Sequence, residues 1–314
     1  MSANVLELLP IDITRWAAGN TGIPYVTTIE SGRAGPHVLL TALTHGNEVC
    51  GAHALDFLLE QGVQPTHGRL TFAFANVGAY ERFDATRPTE SRFLDEDLNR
   101  VWSPEILDGP RQSRELARAR ALRPVVAAAD YLLDIHSMQT GAPALMLCGL
   151  QAKGRRLAAE VGVPPLVVAD AGHKAGPRMR DFGDFGDEAS PKTALLVECG
   201  QHWSLAARDV ALDTALRFLI AVDVIDPHWA IARLSARAVP QRFIRVTDAI
   251  TITSPDFRFH SPFEGMEVIP RAGTVIADDG DHDVATPYDD CVLIMPSRRM
   301  VVGQTAVRFG RFEA

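Results

Sequence analysis

Three apolar runs of strand length each stop at a residue able to hold a cation, and no other pattern constrains the chain as tightly. Residues 37–43 run into Thr44-His45-Gly46-Asn47-Glu48, residues 131–135 end at His136, and residues 193–197 end at Glu198. Runs without polar alternation belong to strands covered on both faces, the habit of parallel sheets flanked by helices. Helical spacing follows the first run (Val49, Ala52, Leu55, Leu58, Leu59, then a stop at Gly62) and the third, over residues 205–224. Further strands are expected at 25–30, 69–76, 144–148 and 165–169. Helices are expected at 152–161 and at 111–129, the latter kinked or split at Pro124. Strands that alternate with helices give an α/β domain built on a mixed, mainly parallel sheet.

After about residue 231 the helical periodicity stops. Short strand-like runs take over at 243–246, 250–253, 268–269, 274–277, 291–295, 301–302 and 306–309, separated by Gly, Pro and Asp. The chain therefore divides into a catalytic-sized unit, residues 1–235, and a small all-β domain, residues 236–314. Two segments lack periodicity, 77–110 and the Gly-rich 172–191, and loops of that length inside compact domains are usually functional.

Charge and cysteine usage exclude several classes. The net charge is -8, with no Lys/Arg stripe, so nucleic acid is not an expected partner. No apolar run has membrane-spanning length, and the N-terminus lacks a basic stretch followed by an apolar one, which argues against a signal peptide. Cys50, Cys148, Cys199 and Cys291 lie far apart with no Cys-x-x-Cys, as expected of buried, reduced thiols in a cytoplasmic protein. An acidic protein that takes a small anionic substrate needs a local basic pocket. Arg87, Arg92 and Asp97-Leu98-Asn99-Arg100 in the first long loop supply one, because a forked guanidinium suits a carboxylate.

Parallel strands place their C-terminal ends on one edge, so His45, Glu48, His136 and Glu198 can meet there. Two imidazoles and a carboxylate form the ligand set of many catalytic zinc sites, and a second carboxylate serves as general base in metal-assisted hydrolysis. Asp134, two residues before His136, either projects to the other strand face or orients a ligand.

Taken in order, Thr44-His45-Gly46-Asn47-Glu48, Asp97-Leu98-Asn99-Arg100, Asp134-Ile135-His136 and Val197-Glu198-Cys199-Gly200 resemble the motifs of the succinylglutamate desuccinylase/aspartoacylase family, within the zinc carboxypeptidase-like hydrolases. The resemblance covers about residues 36–200 and extends to the C-terminal β domain. It implies one Zn²⁺ on His45, Glu48 and His136, with Glu198 activating its water. It further implies that Arg92 polarises the scissile carbonyl and that Asn99 and Arg100 hold the carboxylate of the amino-acid part. The family's further arginine, which reads the substrate side chain, has no clear counterpart.

The reading is a zinc-dependent amidohydrolase acting on a small N-acylated amino acid. A metallocarboxypeptidase for short peptides is the runner-up, and a non-catalytic binding protein stands behind both. Arg178 and Arg180 read as solvated loop charges, Arg100 as a clamp or a surface partner of Asp95 or Asp97, and Tyr288 as a residue that does not reach substrate. Asp181-Phe182-Gly183 and Asp184-Phe185-Gly186 read as a mobile loop. His53, His173, His202, His260 and His282 show no spacing for a second metal. A homo-oligomer is left open.

Overall fold

The computed structural model describes residues 6–172, 175–235 and 238–313. The leader expectation for residues 1–5 and the reading of His173 lie outside them. The first unit carries strands β1 (Val26–Glu30), β2 (His37–Ala42), β3 (Arg69–Phe74), β4 (Tyr131–Met138), β5 (Leu145–Leu147), β6 (Leu166–Ala169) and β7 (Thr193–Gln201). Its helices are α1 (Cys50–Glu60), α2 (Val77–Tyr80), α3 (Pro104–Leu107), α4 (Arg114–Ala128), α5 (Ala152–Val161), α6 (Leu205–Ala221) and α7 (Pro227–Ile231). Every residue of β2 is buried, as is nearly all of β4. Alternate side chains feed two cores. Val38, Leu40, Leu133 and Val197 meet α1, α5 and α6 on one face, while Leu39, Leu132 and Ala194 meet α4 on the other. The all-apolar runs are thus explained by two covered faces.

β3, β2, β4 and β7 pair in parallel, with His136 opposite Glu198 in the register. β5 runs antiparallel to β7 and parallel to β6. The C-terminal unit adds β8 (Arg242–Thr251), β9 (Arg258–Phe259), β10 (Glu267–Ile269), β11 (Val275–Asp279), β12 (His282–Ala285), β13 (Cys291–Ile294) and β14 (Thr305–Phe312). β8 pairs in parallel with β6, from Leu166 opposite Arg242 to Ala169 opposite Arg245. One eleven-stranded sheet, ordered β1-β3-β2-β4-β7-β5-β6-β8-β14-β13-β10, therefore runs across both units, and β12-β11-β9 form a small second sheet.

Some expectations change. α4 is one helix with Pro124 inside it, begun by Ser113, whose Oγ accepts from Leu116 N at 2.9 Å. Val301 and Val302 form no strand and are exposed. Residues 77–110 are not structureless, since they hold α2, α3 and 3-10 turns at Glu90–Arg92 and Leu98–Arg100. Among the described residues no helix is long and apolar enough to cross a membrane. The four cysteines are free and buried.

Candidate active site

The turn after β2 is shaped for its task. Leu43 adopts φ 59°, sparsely populated for a residue with a Cβ, and such strain collects at functional sites. Gly46 follows because the backbones of Ala79, Tyr80 and Ser91 pass so close that any Cβ would lie about 2.4–2.5 Å from them. The consequence is that His45 and Glu48, at 3% and 2% exposure, are pressed inward against His136, which β4 delivers from the neighbouring position.

His45, Glu48 and His136 each offer a donor atom, all within 4.8 Å of one another. His45 Nδ1 lies 2.7 Å from Glu48 Oε1, and His136 Nδ1 lies 2.8 Å from Glu48 Oε2. The outward nitrogens also face carboxylates, His45 Nε2 to Asp97 Oδ1 at 2.9 Å and His136 Nε2 to Asp134 Oδ2 at 2.6 Å. When Nε2–H donates to those carboxylates, both Nδ1 lone pairs are left free to converge on one point, which is how metal-binding histidines are oriented. Thr41 and Thr44 hydroxyls fix Asp134 in turn, donating to its Oδ1 at 2.7 and 2.9 Å. Of the two roles open to Asp134, the structure gives the orienting one. Two nitrogens and a carboxylate within such a span fit a divalent cation of borderline softness such as zinc.

The electrostatics agree. Burial alone would raise the Glu48 carboxyl, yet the charges of His45 and His136 hold it well below the usual carboxylate range. Asp97 is likewise held down by His45 and Arg92 against its own burial. Glu198 differs. Burial first, and the nearby Glu48 charge second, push its carboxyl up to about 8, while His136 and Arg92 oppose them. Its Oε2 is buried with no hydrogen-bond partner among the described residues.

A cavity of about 640 Å³ opens on this cluster. Arg92 lines it, donating to Glu48 Oε1 at 3.3 Å and Asp97 Oδ2 at 3.1 Å. Its Nη2 also lies 2.8 Å from His45 Nε2, a contact that suits only the tautomer with the proton on Nδ1. A cation held by the His45 Nδ1 lone pair would require the other tautomer, in which Nε2 carries the proton and is no acceptor for Arg92. Asn99 and Arg100 line the cavity as expected, but Asn99 Oδ1 already accepts from Met179 N at 2.7 Å. Arg100 donates to Asn99 O at 2.7 Å, and neither Asp95 nor Asp97 is its ion-pair partner. Asp95 pairs with Arg114 at 2.5 Å, and Asp97 with Arg92 and His45.

Arg178 and Arg180 are not solvated, at 5% and 2% exposure. Arg178 grips both oxygens of Asp170, at 2.6 and 3.0 Å, and Asp181 Oδ2 at 2.8 Å. Arg180 reaches Asp181 and the Cys148 and Ala194 carbonyls. Phe182 and Phe185 are buried in the α4 core, so the segment expected to be a mobile loop is anchored. A loop arginine with acidic neighbours reads the same in sequence whether it faces water or a buried carboxylate. Sequence reasoning also missed Asp97 as the partner of His45, His202 in the cavity wall, and Arg298, Arg299 and Arg308 from the C-terminal unit. Arg308 carried a usable signal, a charge between the buried Val307 and Phe309 of a strand. Tyr288 does not line the cavity and bonds Thr247 at 2.6 Å.

An α/β sheet that aims a His-Glu-His group and a lone buried glutamate at one cavity defines a class of hydrolase. Residues 34–220 match the family described as the succinylglutamate desuccinylase/aspartoacylase catalytic domain. The chain belongs to that family, whose members are deacylases. The succinylglutamate desuccinylase of Burkholderia cenocepacia is 24% identical over 302 residues, covering 86% of this chain and 79% of its own. A probable aspartoacylase of Parasynechococcus marenigrum is 34% identical over 85 residues, 27% of this chain and 26% of its own. Among solved structures, the succinylglutamate desuccinylase of Vibrio cholerae superposes with a TM-score of 0.69 at 19% identity, covering 92% of this chain and 86% of its own. That likeness shows the shared fold.

Proposed function

We propose that the protein is a zinc-dependent amidohydrolase that cleaves a small N-acylated amino acid into a carboxylic acid and a free amine. One observation carries the reading: the convergence of His45, Glu48 and His136 on one point, with an unpartnered Glu198 carboxyl in the same cavity. Zinc held by His45, Glu48 and His136 supplies Lewis acidity, lowering the pKa of water to about 7 and polarising a carbonyl. Glu198 is the proton carrier. Its raised pKa makes the ionised carboxylate a stronger base than a free one, so that it takes a proton from the attacking water and, now a carboxylic acid, returns it to the leaving nitrogen. His136 and Arg92 already pull that pKa down against burial and Glu48, and a bound cation would act in the same direction. Arg92, bearing a fixed charge at the edge of the cluster, stabilises the developing oxyanion, an effect worth about 3–4 kcal/mol for one donor. Arg100 binds the substrate carboxylate, and Asn99 lends its remaining donor group.

In this reading the division at residues 235/236 is a functional one, with the proton chemistry on the first unit and the cationic side chains Arg298, Arg299 and Arg308 on the second. Buried free thiols support a reducing, cytoplasmic setting. Metal analysis of the purified protein should give one zinc per chain. A panel of N-acyl amino acids should be hydrolysed in preference to dipeptides, and Glu198→Gln should keep the metal while kcat falls about 10²–10⁴-fold. Activity on dipeptides alone would make the enzyme a carboxypeptidase. Absence of zinc together with an inert Glu198→Gln substitution would leave only a binding role.

A further inference from the structure

The far wall of the cavity carries two cations, Arg100 and Arg308, that among the described residues no carboxylate contacts directly, although Asp97 and Asp170 act on them through space. Of the guanidinium groups that line the space, Arg92 is engaged by Glu48 and Asp97, and Arg178 spends its Nε and both terminal nitrogens on Asp181 and Asp170. Arg100 makes one hydrogen bond, to the Asn99 carbonyl, and among the described residues has no carboxylate within ion-pair distance. Arg308 makes no side-chain hydrogen bond or ion pair at all among the described residues, although it is partly buried and lines the cavity. Its strand position explains the orientation: Val307 and Phe309 point into the C-terminal core, so Arg308 points to the opposite face, opposite Ile294 of β13. Burial pulls the Arg100 pKa below its ordinary value; Asp97 opposes it, and the charges of Arg92, Arg178 and Arg308 add to it. Guanidinium groups drawn partly out of water into one cavity are costly unless an anion joins them.

Resting on the proposed deacylase reading, the geometry points to Arg308 as a specificity-determining residue that, with Arg100, clamps the single carboxylate of the substrate. Arg178 already has its charge matched by two carboxylates, Asp170 and Asp181, which leaves it little attraction for a second carboxylate of a substrate. The lining also includes an apolar set, Met138, Ala142, Leu147 and Met295. A substrate with one carboxylate and an uncharged side chain matches that set. Arg298 and Arg299, exposed at the rim, keep their hydration and do not discriminate.

The test uses the full-length, zinc-loaded enzyme. Arg308→Gln should raise KM for N-acetyl-methionine about 10- to 100-fold with kcat within a few-fold, the loss expected for one charge-assisted contact. Arg308→Lys should recover part of it, and the carboxamide analogue, which has no anion to clamp, should bind the wild type and the Gln variant alike. Calorimetry with free methionine, the product, reads the same clamp without turnover. Should no N-acyl amino acid be hydrolysed while methionine still binds in an Arg308-dependent way, the deacylase reading falls and the clamp stands. Hydrolysis unaffected by Arg308→Gln would overturn the clamp. A tenfold or larger preference of the wild type for N-acetyl-aspartate over N-acetyl-methionine would overturn the single-carboxylate assignment, and this comparison holds even if the variants fail to fold.

Discussion

Three buried histidines, His136 and His37 in the sheet and His202 just past β7, treat protons in opposite ways. At the cluster, His136 lies between Asp134 and Glu48. Burial disfavours its charge, but the two carboxylates outweigh burial and raise its pKa well above the ordinary value. His202 and His37 are comparably enclosed but face hydroxyls, Ser137 Oγ and Thr71 Oγ1, each at 2.8 Å. Burial pushes both down to about 4. Depth is similar, so partner chemistry makes the difference. An imidazole flanked by carboxylates attracts a positive charge, whether a proton or a metal ion; one flanked by hydroxyls stays neutral and serves as a strut.

The largest test of that contrast is His136→Ala, which should abolish zinc retention after dialysis and reduce turnover to background, while His37→Gln leaves zinc content unchanged. Equal zinc in both variants would erase the distinction. Asp134→Asn, which keeps the shape and removes the charge behind His136, should weaken zinc affinity about 10- to 100-fold in a chelator competition. The smallest effect is on stability against pH. A histidine whose folded pKa is depressed binds fewer protons folded than unfolded, so its contribution is complete above about 6.5 and is lost as pH falls toward 4. Between those limits His37 should cost the wild type on the order of 1 kcal/mol per pH unit. His37→Gln, less stable at pH 7.5, should therefore converge with wild type in urea midpoint as pH drops. A constant gap would mean that His37 is not held neutral.

Sequence made the strands legible because a both-faces-buried strand leaves an unbroken apolar run. His45 and Glu48 lie on the turn just past β2, whereas His136 and Glu198, expected at strand ends, sit inside β4 and β7, which run on to Met138 and Gln201. Features that depend on which charge meets which were hidden. Asp97 gives no local sign of choosing His45 over Arg100, and Arg178 gives none of facing Asp170. The short runs after residue 240 announced an all-β unit, but not that β8 would pair with β6, since the partner of an edge strand is not written in either strand alone. Pro124 does not split α4, because a helix held by tertiary packing tolerates the missing N–H.

The pairing of β8 with β6 also determines how the chain can be cut. Ending it at residue 235 would unzip a parallel ladder and leave Leu166, Val167 and Val168 as a bare apolar sheet edge. Such an edge recruits strands from other molecules. The catalytic unit alone should thus aggregate rather than persist as a minimal enzyme, and the C-terminal unit doubles as its molecular selvage.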